Sequence, residues 1–444
     1  MSKDHSPAQS GKFNSSIGFV LAAVGSAVGM GNIWLFPYRM VECGGAAFLI
    51  PYFLFVALFS YVGLSGEFAI GRLSGAGAMG SFDYALKSRG RKGGKIVGLL
   101  PLLGVLGIAI GYSVVVGWVL RYTAGAVTGS ILNSDPQGFF NAMAVDFGSV
   151  PWHIIAIVVT VLVLILGVST GIEKISKILM PAFFVLFLVI AVRVAFLPGV
   201  GEGYRFLLVP DWAKLAEPMT WIYAMGQAFF SLSINGAGML IYGSYMKKDD
   251  NIIKQSVMTA LLDSSAALLA AFAIIPATFA FFGAEGAALN GPSLLFVTIP
   301  KVFEVMPGGR FLIILFFVSV LFAGITSLMN MLEACGDALG KTVRIPRWLS
   351  MVIIGAITFG VGVFEETLPG MGSWMDLITI YVAPFGAVLG AVFIYWVLGL
   401  GPIKKELSLG RAKPIGSAFD VLAHCYVVIA AVVVVMGILK GGIG

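Results

Sequence analysis

Residues 25–32 read GSAVGMGN, and this stretch decides how the chain folds. It lies in the first apolar segment, residues 17–38, where a continuous apolar helix would otherwise be expected. A second such stretch, 231-SLSINGAGM-239, interrupts the sixth apolar segment. Small residues of this kind can serve close packing between membrane helices. The alternative is a pair of broken helices, since non-helical backbone at membrane depth is tolerated only where it is buried or lines a cavity.

The composition around these stretches is that of an integral membrane protein. Hydrophobic residues make up 59% of the 444 residues and charged residues only 11%, and the mean hydropathy is +0.97. Soluble globular domains have a much larger share of charged residues, and a transmembrane β-barrel would show short alternating segments instead of long apolar runs. The sequence therefore predicts an all-α, polytopic membrane protein that has the lipid bilayer as a partner.

Apolar runs of about 20 residues, the length needed to cross a bilayer, recur along the chain. We expect about 11 transmembrane helices, at approximately 17–38, 45–71, 96–127, 152–170, 175–197, 219–245, 253–283, 310–339, 347–364, 374–399 and 417–439. The interrupted segments, the first and the sixth, are corresponding positions if helices 1–5 and 6–10 form two halves. Because five is odd, the second half would lie inverted, and interrupted segments in such positions point to a substrate site near the membrane midplane.

The domain organisation follows from this count. We predict a single membrane transporter domain over residues 1–444, with a first inverted repeat at 17–197, a second at 219–399 and an extra helix 11 at 417–439.

The positions of the basic residues predict the orientation. Most of the 28 Lys and Arg residues fall in loops on the side of the N-terminus, and such residues accumulate on the cytoplasmic side. We expect a multi-pass protein of the cell inner (plasma) membrane, with a cytoplasmic N-terminus, a C-terminus outside and no removable signal peptide. The net charge of +6 reflects this topology, so the basic loop 87–95 does not indicate a nucleic-acid partner.

The residue patterns of enzymes are missing from the sequence. The three cysteines and three histidines are scattered, and neither CxxC nor HExxH occurs. No histidine lies near either interrupted stretch, where a catalytic set would be needed. The sequence favours a transporter over an enzyme, and it leaves open a channel or a non-transporting amino acid sensor on the same scaffold.

Four motifs resemble, in order, those of the neurotransmitter:sodium symporter family: 29-GMGNIWLFPY-38, 67-EFAIGR-72, 227-QAFFSLS-233 and 322-FAGITS-327. The resemblance extends from about residue 13 to residue 400 and is closest to the bacterial carriers of several hydrophobic amino acids. It implies the 5+5 inverted-repeat fold of the bacterial leucine transporter, with broken helices 1 and 6. It also implies sodium-coupled symport by alternating access. Most family members have twelve spans, whereas this chain has about 11.

Two Na⁺ ions follow from the resemblance, since unwound carbonyls and hydroxyl or amide oxygens at helix breaks suit a sodium ion. The first sodium site would use the substrate's carboxylate together with Ala27, Asn32, Ser231 and Asp263. The second would use Gly25, Val28, Ala323, Thr326 and Ser327.

Two acids inside predicted spans have separate roles. A carboxylate at a helix centre costs about 2.5–3.5 kcal/mol on insertion scales and is normally retained for function. Many family members have an uncharged Asn at the position of Asp263 and rely on a nearby chloride or a second acid for negative charge, so Asp263 implies chloride-independent transport. The resemblance gives Glu67 a supporting role, in which it hydrogen-bonds the exposed backbone of the broken sixth helix.

A zwitterionic amino acid matches the two kinds of helix end at the breaks, because free amides suit a carboxylate and free carbonyls suit an ammonium group. The resemblance assigns the substrate's carboxylate to Met30, Gly31 and Tyr112, and its ammonium group to carbonyls and Ser327. Gly29 occupies the place of an aspartate found in monoamine carriers, which disfavours biogenic amines. The side-chain pocket would comprise Ile108, Phe230, Ser231, Ser233, Asn235, Gly236, Leu328 and Met331. These residues could equally be simple packing if the family were ignored.

The expected substrates are aliphatic and aromatic L-amino acids such as leucine or tryptophan. Gly236 replaces a bulky phenylalanine of the leucine transporter, so larger side chains should fit.

The gates depart from the family pattern. Leu35 replaces the arginine of the outer gate, and Thr379 or Trp374 replaces its acid. At the cytoplasmic side, Lys341 stands where an acid is usual, with Asp337 one turn earlier. In the fifth span we predict a hinge, with Gly171 and Pro181 as the two helix breakers, although a simple kink at a helix end is equally compatible with them.

Overall fold

The computed structural model describes residues 11–132, 134–286 and 291–443, with the side chains of 284–286 left aside. Residues 1–10 of the predicted domain lie outside the described part. All of the long elements are helices, and each of the eleven predicted apolar segments is helical over most of its length. The fold class is therefore confirmed as all-α and polytopic.

The described residues of the first half form the helices α1 Ser16–Ala27, α2 Gly31–Glu42, α3 Ala46–Ser74, α4 Ala78–Lys87, α5 Gly94–Thr128, α6 Pro136–Asn141, α7 Val150–Ile165, α8 Val168–Ala195 and α9 Gly201–Leu208.

The second half begins with α10 Trp212–Ala216, α11 Pro218–Ser231, α12 Gly238–Ser244 and α13 Ile252–Gly286. A helical stretch at 291–304, α14, follows. The remaining helices are α15 Gly309–Val343, α16 Arg347–Glu365, α17 Leu368–Leu398, α18 Leu400–Leu407 and α19 Ala418–Lys440.

Eight of the helices in the described ranges are long and apolar enough to cross a membrane, judged by length and composition. They are α3, α5, α8, α13, α15, α16, α17 and α19. The pair α1 and α2 passes the same test together but is bent by 61°, and α7 is a shorter apolar helix. Eleven spans in two inverted repeats remains a prediction, because length and composition alone do not establish either the number or the symmetry.

The two interrupted stretches of the sequence coincide with breaks between helices, and we call each pair a split helix. In the first split helix, α1 ends at Ala27 and the backbone is extended at Val28 (φ −69°, ψ 115°) before α2 begins. In the second, α11 and α12 are separated by residues 232–237, where Ser233 has φ +52° and Gly236 has φ +76°. Positive φ is strained for Ser233 and easy for Gly236.

Long helices surround the first split helix. Its half α1 packs against α8, α13 and α15, while α11 packs against α3 and α12 against the Ser65–Ser74 part of α3. Large apolar side chains such as Leu162, Val185 and Val435 are exposed on the outer helices, as expected of surfaces that face lipid. The breaks therefore lie at the centre of the bundle, away from those surfaces.

Candidate functional site

A cavity of about 360 Å³ lies between the two split helices. Its size falls in the usual range for small-molecule sites. Ten predicted substrate residues line it, namely Met30, Gly31, Ile108, Tyr112, Phe230, Ser231, Ser233, Asn235, Ser327 and Met331. Ala27 and Asn32, predicted for the first sodium site, also line the cavity. The positions of the other residues predicted for the two sodium sites follow from their hydrogen bonds and packing contacts.

Three polar side chains predicted for the first sodium site, Asn32, Ser231 and Asp263, are almost fully buried and form one cluster. The Asn32 amide donates to Asp263 Oδ1 over 2.8 Å and to Ser231 Oγ over 3.3 Å. The Ser231 hydroxyl donates to Asp263 Oδ2 over 2.6 Å. The structure thus brings together residues from α2, α11 and α13 that lie far apart in sequence. Because a lone buried carboxylate is costly, these donors also account for how Asp263 is accommodated.

The residues predicted for the second sodium site lie where α15 crosses the break of the first split helix. The Ser327 hydroxyl lies within hydrogen-bond distance of the carbonyls of Gly25 (3.2 Å), Ser26 (3.2 Å) and Val28 (2.9 Å). The Thr326 hydroxyl donates to the carbonyls of Phe322 and Ala323 on the preceding turn. A methyl group at Gly25 would lie 2.8 Å from Thr326 Cβ, so only glycine permits this approach. All five residues predicted for the second site therefore lie in one neighbourhood rich in oxygen atoms.

Tyr112 marks the position predicted for the substrate's carboxylate. The Met30 amide donates to Tyr112 Oη over 3.3 Å. A Cβ at Gly29 would lie 2.8 Å from that same hydroxyl and 3.1 Å from Ser327 Oγ. Gly29 is thus packed closely against two hydroxyl groups, and a side chain at this position would collide with that of Tyr112.

Two side chains stabilise the break of the second split helix. Glu67 Oε1 accepts from the Gly236 amide over 2.8 Å, and Asn235 Oδ1 accepts from the Ala237 and Gly238 amides. A helix start leaves its first amides without partners within the helix, and Asn235 supplies a partner for two of these at the start of α12, while Glu67 supplies one for the Gly236 amide in the break before it. Glu67 takes the geometry expected of its supporting role, while its Oε2 atom is buried without a partner among the described residues.

Two residues expected in the side-chain pocket do not line the cavity. Leu328 is fully buried elsewhere. At Gly236, a Cβ would contact the carbonyl oxygen of Gly386 and lie 3.3 Å from Pro101 Cβ, which places it against backbone. The reason is the positive φ of Gly236: with this backbone conformation, a side chain at position 236 would point away from the cavity.

The expected gate residues have distinct surroundings. Leu35 and Thr379 line the cavity, as does Asp376, whereas the Trp374 indole donates to the Gly107 carbonyl over 2.8 Å. Lys341 forms an ion pair of 2.9 Å with Asp337 on the same helix. The positions of the expected gate pair are therefore occupied by two uncharged residues, Leu35 and Thr379, and Asp376 is a carboxylate in the same cavity lining.

A buried ionic cluster near the other ends of the helices was not anticipated from the sequence. Arg347 donates from both terminal nitrogens to Glu333, over 2.9 and 2.6 Å. The Tyr245 hydroxyl donates to Glu333 Oε1 over 2.6 Å. One signal could have revealed it, since Glu333 is an acid inside a long apolar segment and such residues normally have a partner.

The predicted hinge residues lie on α8 in different settings. The chain has φ +93° at Gly167 and then forms a π-helical turn over Val168–Glu173, which contains the buried Gly171. Pro181 lies inside the regular part of the helix, Lys174–Ala195. Glu173 also accepts from the Asn14 amide over 2.6 Å and the Ser15 hydroxyl over 2.8 Å, so this irregular turn holds the start of α1. The irregular backbone is thus found beside Gly171 and ends before Pro181.

Comparisons with known proteins place these features in context. The model of the sodium:neurotransmitter symporter family matches residues 10–142 and 139–442. The uncharacterized sodium-dependent transporter YhdH of Bacillus subtilis (strain 168) is 34% identical over 423 residues, which cover 91% of each chain. A sodium-dependent transporter of Haemophilus influenzae is 31% identical over 379 residues, covering 82% of this chain and 81% of the relative.

A solved structure is similar over almost its whole length. The crystal structure of MhsT in complex with L-phenylalanine superimposes with a TM-score of 0.84 at 30% sequence identity. The match covers 97% of this chain and 99% of that one.

Proposed function

The chain belongs to the sodium:neurotransmitter symporter family, and from this premise we propose that it takes up hydrophobic aliphatic and aromatic L-amino acids by sodium-coupled symport. The family consists of membrane transporters, so the protein is a transporter and not an enzyme. The observation that carries the proposal is the cavity between the split helices, which has clusters of oxygen atoms beside it and apolar side chains along its walls.

Two sodium ions are proposed because two separate oxygen clusters adjoin the cavity. At the first, Asp263 supplies a formal negative charge and Asn32 and Ser231 supply neutral oxygens. This cluster lies next to the cavity, so a substrate carboxylate could complete the coordination of the ion. Binding of sodium and of amino acid would then favour each other, as reciprocal linkage requires.

The substrate class is proposed from the lining of the cavity. Ile108, Phe230 and Met331 offer apolar surface, whereas Tyr112 and Ser327 offer hydroxyl groups. One end of the space thus suits the polar groups of an amino acid and the rest suits a hydrophobic side chain. MhsT, the similar structure, holds L-phenylalanine, which supports aromatic as well as aliphatic substrates such as leucine and tryptophan.

Chloride independence is proposed from the position of Asp263. Its carboxylate is fully buried and faces Asn32 and Ser231. A fixed negative charge at this place offsets the charge of a sodium ion without help from an anion. The carrier should therefore work without chloride.

Transport by alternating access would require the two ends of the cavity to open in turn. We propose that the N-terminus is cytoplasmic, as the distribution of basic residues indicates, so that Leu35 and Thr379 face the outside. Two inverted halves of five helices each would make the outward-open and inward-open states related in structure, so that either end of the cavity can open in turn. The irregular turn at Val168–Glu173 is the proposed moving part on the cytoplasmic side.

Equilibrium binding tests the site directly. Purified protein should bind labelled leucine in sodium buffer and lose at least about tenfold in affinity when potassium replaces sodium, a difference of about 1.4 kcal/mol. Unlabelled tryptophan should compete, and dopamine should not. Binding of a biogenic amine in preference to leucine would contradict the proposed substrate class.

A further inference from the structure

The three residues after helix α19 turn back into the cavity. The helix ends at Gly441, which has φ +67°, and Gly442 has φ +112°. The amides of Gly441 and Gly442 both donate to the Gly437 carbonyl, the latter over 2.8 Å. Two successive glycines with positive φ reverse the chain at a helix end. As a result Ile443 points back toward the bundle, where it is only 4% exposed.

The segment 441–443 lies between two walls of the cavity. A Cβ at Gly226 on α11 would collide with the backbone carbonyl of Ile443 and lie 2.9 Å from its Cγ1, so both the backbone and the side chain of Ile443 pack against Gly226 and leave no room for a larger side chain. On the other wall, a Cβ at Gly442 would lie 3.5 Å from Ile380 Cδ1 on α17. Gly442 and Ile443 themselves line the cavity. The segment 441–443 therefore bridges α11 and α17.

Leu35 on α2 and Thr379 on α17 stand where the family resemblance leads one to expect a charged pair, and both border the same cavity. The segment 441–443 makes a different contact, between α11 and α17, and can hold these two helices together by apolar packing. Because α11 is half of a split helix, a change in its distance from α17 would have to break the packing of Ile443.

We propose that residues 441–443 form an apolar latch that holds α11 against α17 and restricts entry to the cavity. When α11 moves away from α17 and this end of the cavity opens, Ile443 loses its contact with Gly226. When the two helices approach again, the contact is restored. The proposal of a latch depends on the proposed function in one respect only, namely that this end of the cavity faces the outside of the cell. Its test is designed so that the orientation, the transport activity and the latch can fail separately.

The test measures access to the cavity without any substrate. In a Cys425→Ser background, which removes the exposed cysteine while Cys43 and Cys335 are buried, Thr379→Cys places a thiol in the cavity wall. A membrane-impermeant maleimide is applied to each side of oriented vesicles, and the labelling rate is measured. Ile443→Ala should raise the rate at least threefold, because it removes most of the apolar side chain that packs against Gly226 and so weakens the hold of the segment 441–443 on α11.

Ile438→Ala is the matched control, since Ile438 lies in the last turns of α19, just before the segment 441–443, but is 38% exposed and does not line the cavity. Its labelling rate should equal that of the parent. Gly226→Ala is an independent second variant, because its methyl group would displace Ile443, and it should also raise the rate.

Equal rates in Ile443→Ala, Gly226→Ala and the control would overturn the latch. Labelling only from the cytoplasmic side would refute the proposed orientation, yet the same comparison of rates on that side would still decide for or against the latch. Loss of leucine binding in all variants, parent included, would refute the proposed substrate and leave the labelling result unaffected.

Discussion

Asn32 Nδ2 lies 2.8 Å from Asp263 Oδ1, which joins the break of the first split helix to a buried carboxylate on α13. The same asparagine accepts from the Gly29 amide through its Oδ1 atom over 3.1 Å. The conformation of the break and the charge of Asp263 are therefore linked through a single side chain. A sodium ion at Asp263 would compete with the Asn32 amide for this carboxylate, and thereby act on the backbone next to the substrate space.

The first prediction concerns Asp263. Asp263→Ala removes both a ligand and the formal charge of the first site, so leucine affinity in sodium should fall by at least about tenfold, and its dependence on sodium concentration should flatten. Scintillation proximity binding across a sodium titration measures both. Asp420→Asn, which alters a partly exposed acid paired with Lys404, is the control and should behave like the parent. A normal sodium titration for Asp263→Ala would refute the placement of the ion.

The second prediction follows from the same carboxylate. Uptake of labelled leucine should be unchanged when gluconate replaces chloride on both sides of the membrane, because Asp263 already supplies a negative charge. Sodium is held constant in both buffers. A large loss of uptake in gluconate would show that the anion is required.

The third prediction concerns Gly236, for which sequence and geometry lead to different results. From the sequence, Gly236→Phe should refill the pocket and reduce tryptophan binding more than leucine binding. In the structure the new side chain would meet the Gly386 backbone and adopt an unfavourable φ. Gly236→Phe should therefore weaken the binding of both ligands and lower the melting temperature.

The matched variant is Ile108→Phe, because Ile108 lines the cavity. It should keep the parent's melting temperature within a few degrees and reduce tryptophan binding more than leucine binding, since the added volume excludes the larger ligand first. A selective loss of tryptophan binding in Gly236→Phe, with normal stability, would restore the interpretation drawn from the sequence.

Gly236 and Asp263 show which features of the site could be predicted from the sequence and which could not. The breaks were predictable, because glycines and small polar residues inside an apolar segment are costly unless they serve a purpose. The family motifs contain Asn32 and Ser231, and the wider resemblance pointed to Asp263 as an acid inside a predicted span; the structure brings all three together. The direction of a missing side chain at Gly236 was not predictable, since it depends on a backbone dihedral angle that tertiary packing determines.

Partners across long sequence separations were equally hidden. Glu333 pairs with Arg347 across the turn between α15 and α16, and Ile443 meets Gly226 from the other end of the second half of the chain. Neither contact leaves a local pattern in the sequence. Composition and periodicity report which face of a helix is apolar, but they do not report which residue it meets.

The fourth prediction concerns the proposed hinge of α8. Pro181 removes a backbone donor and crowds the preceding turn, so Pro181→Ala should make the helix more regular and slow the inward release of sodium. Equilibrium binding of leucine should change less than about twofold, while the rate of exchange across proteoliposomes falls severalfold. Leu188→Ala, at an exposed position on the same helix, serves as control. Unchanged turnover in Pro181→Ala would remove this proline from the mechanism.

The most direct test of the central claim is accumulation of labelled leucine in proteoliposomes that contain the purified protein and an inward sodium gradient. We predict that leucine rises inside to a concentration above that outside, that the accumulation collapses when sodium is equal on both sides, and that Asp263→Ala abolishes it. Entry that stops at equal concentrations would indicate a channel. Sodium-dependent binding without any entry would indicate a sensor, and either result would contradict sodium-coupled symport.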